Sequence, residues 1–388
     1  MRDFERHSAQ WRDPAQVASQ WQSAGDTDPA LLRYTVQGRW WETLDELRIT
    51  LVVTRETEHL VIAMRSDDAG PDISFVRLPH PSGLVVDRRG DVMYVASTRN
   101  PNQVFDFVPA CPQRGRRERG RGIAGRRTLI PVRSRLFPGS LYIHDLGVIG
   151  EELHAAAVGQ NAVVRLEENA GYERVWWPRA IESADGPVFS QNHLQLNSIA
   201  AGKDLDDSFF AASTDRVSSR RPGHLNFPVD RRGVIFSGRT REPVVRGLTR
   251  PHSARLHEGK VWVDDSGYGT FGPCDDSRFT AVAKLPGWTR GLSFAGSVAF
   301  VGTSQVIPRY RRYAPGLDVG TSRCGVHAVD VRTGEPLGSI LWPAGNQIFG
   351  IDWIGSSAAE GLPFRSGNGT RKHARDLFYS YAAAHTDG

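Results

Sequence analysis

From residue 48 to residue 109 the chain alternates apolar and polar side chains in short runs: RITLVVT, HLVIAMR, SFVRL, GLVVD, DVMYVAST and QVFDFVP. Turns rich in Gly, Asp and Asn separate them. Alternation with period two places one set of side chains on each face of an extended strand, so the runs predict antiparallel β-structure. The first 45 residues read differently. FERHSAQWRDPAQVASQWQSAG and LLRYTVQGRWWETL predict short helices with a break at Asp26–Pro29, forming an N-terminal helical extension over residues 1–45. An amphipathic stretch from His373 to Ala383 predicts a helix in a C-terminal tail, residues 361–388.

The strands group into a longer repeat. Its units open as LPHPSGLVVD, LYIHDLGVIG, QNHLQLNSIA, TRPHSARLHEGK, LPGWTRGLSFAG and GNQIFGIDWIG. Each has a polar residue, a few alternating residues, a Gly turn and then an apolar strand. Their starts fall near residues 80, 144, 193, 252, 290 and 348, and a period of about 40–60 residues with several strands per unit marks a β-propeller. The predicted fold is therefore all-β, a six-bladed β-propeller over residues 46–360. Seven blades is the alternative if residues 47–78 stand alone. Those residues lack an opening strand, and the last unit has one clear strand. Pairing the two segments would complete a blade and remove the exposed edges of the ring.

Composition adds limits. No apolar run among the 388 residues reaches the roughly 18 needed to cross a membrane. The start, MRDFERHSAQWRDP, is too charged for a secretory signal, so a soluble cytoplasmic protein with no membrane partner is expected. Three widely spaced cysteines, Cys111, Cys274 and Cys324, argue against a disulfide framework or a thiolate zinc site. The net charge of +5 resides in RGRRERGRGIAGRR, residues 114–127, whose seven Arg and one Glu give 7 − 1 = +6. Without interleaved aromatics for base stacking the loop reads as a solvated insertion, and a nucleic-acid partner is not expected. GRGIAG within it matches a dinucleotide-binding pattern but lacks the βαβ context.

The repeat itself suggests where chemistry lies. The first strand of each propeller blade lines the axial channel, so residues at its start converge at one mouth. Here they are His80, His144, His193 and His252, then Arg290, then Gln347 beside Ile348. Each His could simply bond a neighbouring blade's backbone. Four together predict a metal site, because neutral imidazole is a common transition-metal donor; Fe or Cu is favoured and Zn possible. Arg290 is the expected anchor for an anionic group, and Asn197, which shares the face of His193, the expected polar partner; both are catalytic candidates. Asp145 should face away from the channel, and Asp264, Asp265 and Ser266 read as turn formers.

The segments YIHDLGVIGEELHAAAVGQNAVVRL, NHLQLNSIA, LTRPHSARLHEGKVWVDDSGYG, LPGWTRGLSFAGSVAFVGTS and CGVHAVDVRTGEPLGSILW resemble a bacterial family built on the domain of unknown function DUF4915. The resemblance covers residues 30–355 and implies a β-propeller of open activity. The family's H-D-L, H-L-N and P-H-S positions match His144, His193 and His252, and its T-R-G-L matches Arg290. His80 stands where the family has R-P-M-G-L, and Asn346-Gln347-Ile348-Phe349 replaces its E-E-I-F, removing a carboxylate. The expectation is a metal-dependent oxidoreductase acting on a small molecule or modified peptide. The alternatives are a zinc-type hydrolase or lyase, and a non-catalytic propeller that binds a peptide or glycan.

Overall fold

Six antiparallel sheets stand round a common axis in the computed structural model, which describes residues 25–98, 102–112, 127–169, 171–218, 222, 227–365 and 381–383. Blade 2 runs outward from Pro81–Asp87 through Val92–Ser97 and Asn102–Pro112 to Thr128–Phe137. Blade 3 is Ile143–Ile149, Glu152–Ala157, Ala162–Leu166 and Tyr172–Trp176, and blade 4 is Leu196–Ala200, Phe209–Ala212, Gly233–Ser237 and Pro243–Leu248. Blade 5 runs Pro251–His257, Lys260–Asp265, Thr270–Asp275, with two short outer pieces, and blade 6 runs Trp288–Ala295, Val298–Ser304, Gly325–Asp330, Pro336–Leu341.

Blade 1 closes the ring from both ends of the chain. Its inner strand is Ile351–Gly355, paired with Ile49–Arg55, followed by Leu60–Asp67 and Gly70–Arg77. The six-bladed expectation and its mode of closure both hold. Hairpin turns follow local chemistry. At His257-Glu258-Gly259-Lys260 the two loop residues have φ of +49° and +75°, the twist-matched two-residue turn that favours Gly at its second position.

The blade faces pack on one another through apolar residues. Trp176 meets Phe210 and Phe236 between blades 3 and 4 with ring centroids 4.2 and 6.1 Å apart, and Trp40 meets Phe300 of blade 6 at 6.0 Å. Burying side chains of this size stabilises by roughly 1.5–3 kcal/mol each.

The extensions differ from expectation. Thr35–Gly38, within a segment expected to be helical, is a strand on the outer edge of blade 6, followed by a short helix at Trp40–Glu46. The alternation of Thr35, Val36 and Gln37 suits an exposed edge whose partner is the Pro336–Leu341 strand, and that tertiary pairing outweighs local helix propensity. In the tail, Tyr381–Ala383 is also strand, paired with Ala110–Pro112 of blade 2, rather than the end of a helix. Tail residues 366–380 and 384–388, the helix expected before residue 25, and most of the Arg-rich loop lie outside the described residues. Among the described residues no helix is long and apolar enough to cross a membrane.

Candidate functional site

Inner strands carry an irregularity where they open. Pairing with the second strand slips between Pro81 and Leu84, between Leu196 and Ser198, between His252 and Arg255, between Thr289 and Leu292, and opposite Ala155–Ala157 in blade 3. An extra residue bends a strand and re-aims its side chain. The slips contain Ser82, Asn197, Ser253, Arg290 and His144, so five blades turn a polar side chain at the same height.

Several of these groups stitch the blades together. Thr54 Oγ1 donates to the Ser82 carbonyl (2.7 Å), Ser82 Oγ donates to the Ile143 carbonyl (2.9 Å), and Asp145 Oδ2 accepts from the Ile199 N–H (3.0 Å). Asn197 Nδ2 donates to the Pro251 carbonyl (2.9 Å), Ser253 Oγ accepts from the Gly291 N–H (2.8 Å), and Ser293 Oγ donates to Asp352 Oδ1 (3.0 Å). These links join blade 1 to 2, 2 to 3, and so on back to 1, a closed belt around the channel.

On the side where the inner strands begin, the channel widens into a cavity of about 520 Å³. His144, His252, Arg290, Arg250, Trp288, Tyr313, Phe349, Gln347 and Glu56 line it. Arg290 is held on three sides. Its Nη2 donates to His144 Nε2 (3.2 Å), its guanidinium lies 3.3 Å from the Phe349 ring centroid, and, with the Gln347 amide turned to satisfy both of its neighbours, its Nη1 donates to the Gln347 side-chain oxygen (2.7 Å). In that same orientation Gln347 donates to Glu56 Oε2 (2.9 Å), and the other Glu56 oxygen is 2.9 Å from His80 Nδ1.

His252 is buried, with Nδ1 2.8 Å from the Arg250 carbonyl and 3.0 Å from Ser266 Oγ. A carbonyl only accepts, so Nδ1 carries the proton and Nε2 keeps its lone pair. Burial, then the charges of Arg290 and Arg250 and the neighbouring His144, hold this imidazole well below its usual range and therefore neutral.

Of the expected site residues the structure brings His144, His252 and Arg290 together. His80 is tied to Glu56, and its backbone N–H donates to His59 Nδ1 (3.0 Å). His193 donates its backbone N–H to Asn161 Oδ1 (2.8 Å), and its side chain is not among the groups lining the cavity. The reason is register: His80 and His193 lie in the connections ahead of their strands, whereas His144 sits within a bulge. Asn197, 3 % exposed, belongs to the belt and clamps the peptide beside His252 instead of reaching the cavity.

These donors do not fit the expected metal. Among the described residues no group of three or more His, Cys, Asp or Glu is placed to hold one. His144 Nε2 already accepts from a guanidinium, and that positive charge opposes a cation at the same point. Burial pushes the Cys274 and Cys324 thiols up to about 12, so neither supplies a thiolate. Glu56, Arg250, Trp288 and Tyr313 escaped sequence reasoning; the one hint was that Arg250 and Trp288 directly flank the repeat openings PHS and TRGL.

Comparison with known proteins yields the fold and a family. A chain of a nidogen/laminin complex is 7% identical with a TM-score of 0.52, over 79% of this chain and 98% of that one. A protein of unknown function from Bacteroides caccae is 10% identical with a TM-score of 0.46, over 79% and 99%. A gluconolactonase from Xanthomonas campestris is 12% identical with a TM-score of 0.44, over 76% and 86%. No curated protein matches the chain. The profile of the domain of unknown function DUF4915 matches residues 38–360, which contain the principal strands of all six blades and every residue of the cavity wall, and the chain belongs to that family.

Proposed function

We propose that the channel mouth is the reaction site of an enzyme acting on a small organic anion. Arg290 and Arg250 bind its acidic group, and His252 Nε2 serves as the base that takes a proton from it. The observation that carries this reading is the convergence of two guanidinium groups and a neutral imidazole of fixed tautomer on one recessed cavity. A neutral imidazole flanked by positive charge is ready to accept a proton only when an anion neutralises the site, which couples binding to proton transfer. Trp288, Tyr313 and Phe349 supply apolar wall for the rest of such a molecule. The metal-dependent oxidoreductase and zinc-hydrolase readings require a metal donor set that the described residues do not assemble. A broad peptide or glycan would use the rim rather than this recess.

Titration calorimetry with phenylacetate tests the binding half. The wild type is expected to bind it, and Arg290→Met to weaken it by about tenfold or more, the worth of one charge-assisted hydrogen bond. Equal affinity of wild type and a folded variant would overturn the reading. The basic half is read by NMR. His252 is expected to keep the neutral Nδ1–H pattern at about pH 5.5, where a free imidazole is mostly protonated. A titration near the ordinary imidazole range would remove His252 as the prepared base.

A further inference from the structure

In blades 2 to 5 the residue that leads into the inner strand is left-handed. His80, Tyr142, Gln195 and Arg250 immediately precede Pro81, Ile143, Leu196 and Pro251, and their φ angles are +44°, +50°, +53° and +55°. Glycine takes this conformation without strain, whereas a bulky side chain there is strained. Strain of this kind gathers where a side chain has to be held for use. Three of the four have an evident partner inside the protein. His80 Nδ1 is 2.9 Å from Glu56 Oε1, Gln195 Oε1 accepts from Arg250, and the Arg250 guanidinium lies 4.6 Å from the Tyr313 ring centroid.

The fourth, Tyr142, is different. Its backbone N–H donates to Asn102 Oδ1 (3.1 Å), which fixes the turn. Among the described residues its ring and hydroxyl form no hydrogen bond, ion pair or ring contact. Five large apolar side chains are exposed among those residues, and Tyr142, 39 % exposed, is the one that lines the cavity. It enters the mouth from blade 3. Trp288 and Tyr313 line the mouth from blade 6, and in a ring of six those two blades stand opposite each other.

We infer that the ligand carries a flat unsaturated ring, which Tyr142 holds from one side of the mouth against the aromatic wall on the other; this rests on the reading of the mouth as the binding cavity. Unsaturated rings meet in stacked or edge-to-face contact and gain from it beyond the area they bury. A saturated ring of the same size buries comparable area without that gain. Tyr142 is thereby a specificity residue. It touches the body of the ligand and leaves the proton transfer to His252, and a strained tyrosine stands where glycine would fold more easily because the ligand needs the ring.

Calorimetric titration of the full chain with phenylacetate, cyclohexylacetate and phenylacetamide tests the inference and separates it from the anion reading. The wild type is expected to bind phenylacetate about three- to tenfold more tightly than cyclohexylacetate. Tyr142→Gly should bring the two ring acids to equal affinity, while Tyr142→Phe keeps the preference. Because glycine relieves the turn, Tyr142→Gly should also unfold at the same urea concentration as the wild type or a higher one. Equal binding of the two acids by the wild type, or a preference unchanged in Tyr142→Gly, would overturn the inference while the anion site stands. A lower urea midpoint for Tyr142→Gly would make Tyr142 a packing residue and overturn it as well. Phenylacetamide binding the wild type as tightly as phenylacetate, and Tyr142→Gly more weakly, would keep the ring contact and remove the anion reading. If no probe binds, the inference and the reading beneath it both fall.

Discussion

Replacing Arg255 with methionine is expected to destabilise the fold by about 3–5 kcal/mol. Arg255 reaches from blade 5 to blade 3, placing its two terminal nitrogens 2.7 and 3.1 Å from the Asp145 carboxylate and 3.2 Å from the Ile199 carbonyl of blade 4. The pair is largely buried, with side-chain exposures of 19 % and 7 %. Without the guanidinium, Asp145 keeps the Ile199 N–H but loses its counter-charge in a poorly hydrated place. The loss is chiefly the penalty of that stranded carboxylate, so Asp145→Leu combined with Arg255→Met should cost less than Arg255→Met alone. Urea unfolding with unchanged m-values measures both. A single variant within about 1 kcal/mol of wild type would mean that the pair is solvated like a surface bridge.

Asp264→Asn is expected to act in the opposite direction. Asp264 is fully buried beside Ser253 on the strand that pairs with His252. Burial pushes its carboxyl well above the usual range, and Ser253, Arg255 and Arg290 offset only part of that. The sign follows from linkage. As pH rises past about 4 the unfolded chain loses this proton while the folded chain keeps it, so stability falls with rising pH by up to about 1.4 kcal/mol per unit. Asparagine cannot ionise in either state and removes that slope. The stability of Asp264→Asn minus that of wild type should therefore grow steadily from pH 5 to pH 7. A constant difference across that range would show that Asp264 ionises in the folded protein.

The fold was legible because two periods are written into the chain, the alternation within strands and the longer recurrence of their openings. Even the closure by residues 49–77 and 351–355 could be read, since each lacked what the other had. The site was half legible. His144, His252 and Arg290 each lie at a repeat opening, and the fold gathers them at one mouth. His80 and His193 also open repeats but lie ahead of the bulge, since the openings share a histidine in sequence and a bulge in structure. Ser82, His144, Asn197, Ser253 and Arg290 share that position without sharing a chemical type, so no residue pattern announces it. Tyr313 comes from the segment between the second and third strands of blade 6, and Glu56 from a hairpin in blade 1. Neither carries any repeat signal, and only tertiary packing brings them to the mouth.

The closing blade also bears on how the protein is made. Residues 49–77 leave the ribosome nearly three hundred residues before Ile351–Gly355, the strand they must pair with. At about 5–20 residues per second, that is a wait of roughly fifteen to sixty seconds. During it, the Ile49–Arg55 strand, buried along its length in the finished ring, presents an unpaired apolar edge to whatever is nearby. The amino-terminal half therefore keeps an exposed apolar edge until the last strand is made, and a chain released before residue 351 would be expected to aggregate rather than form a smaller propeller.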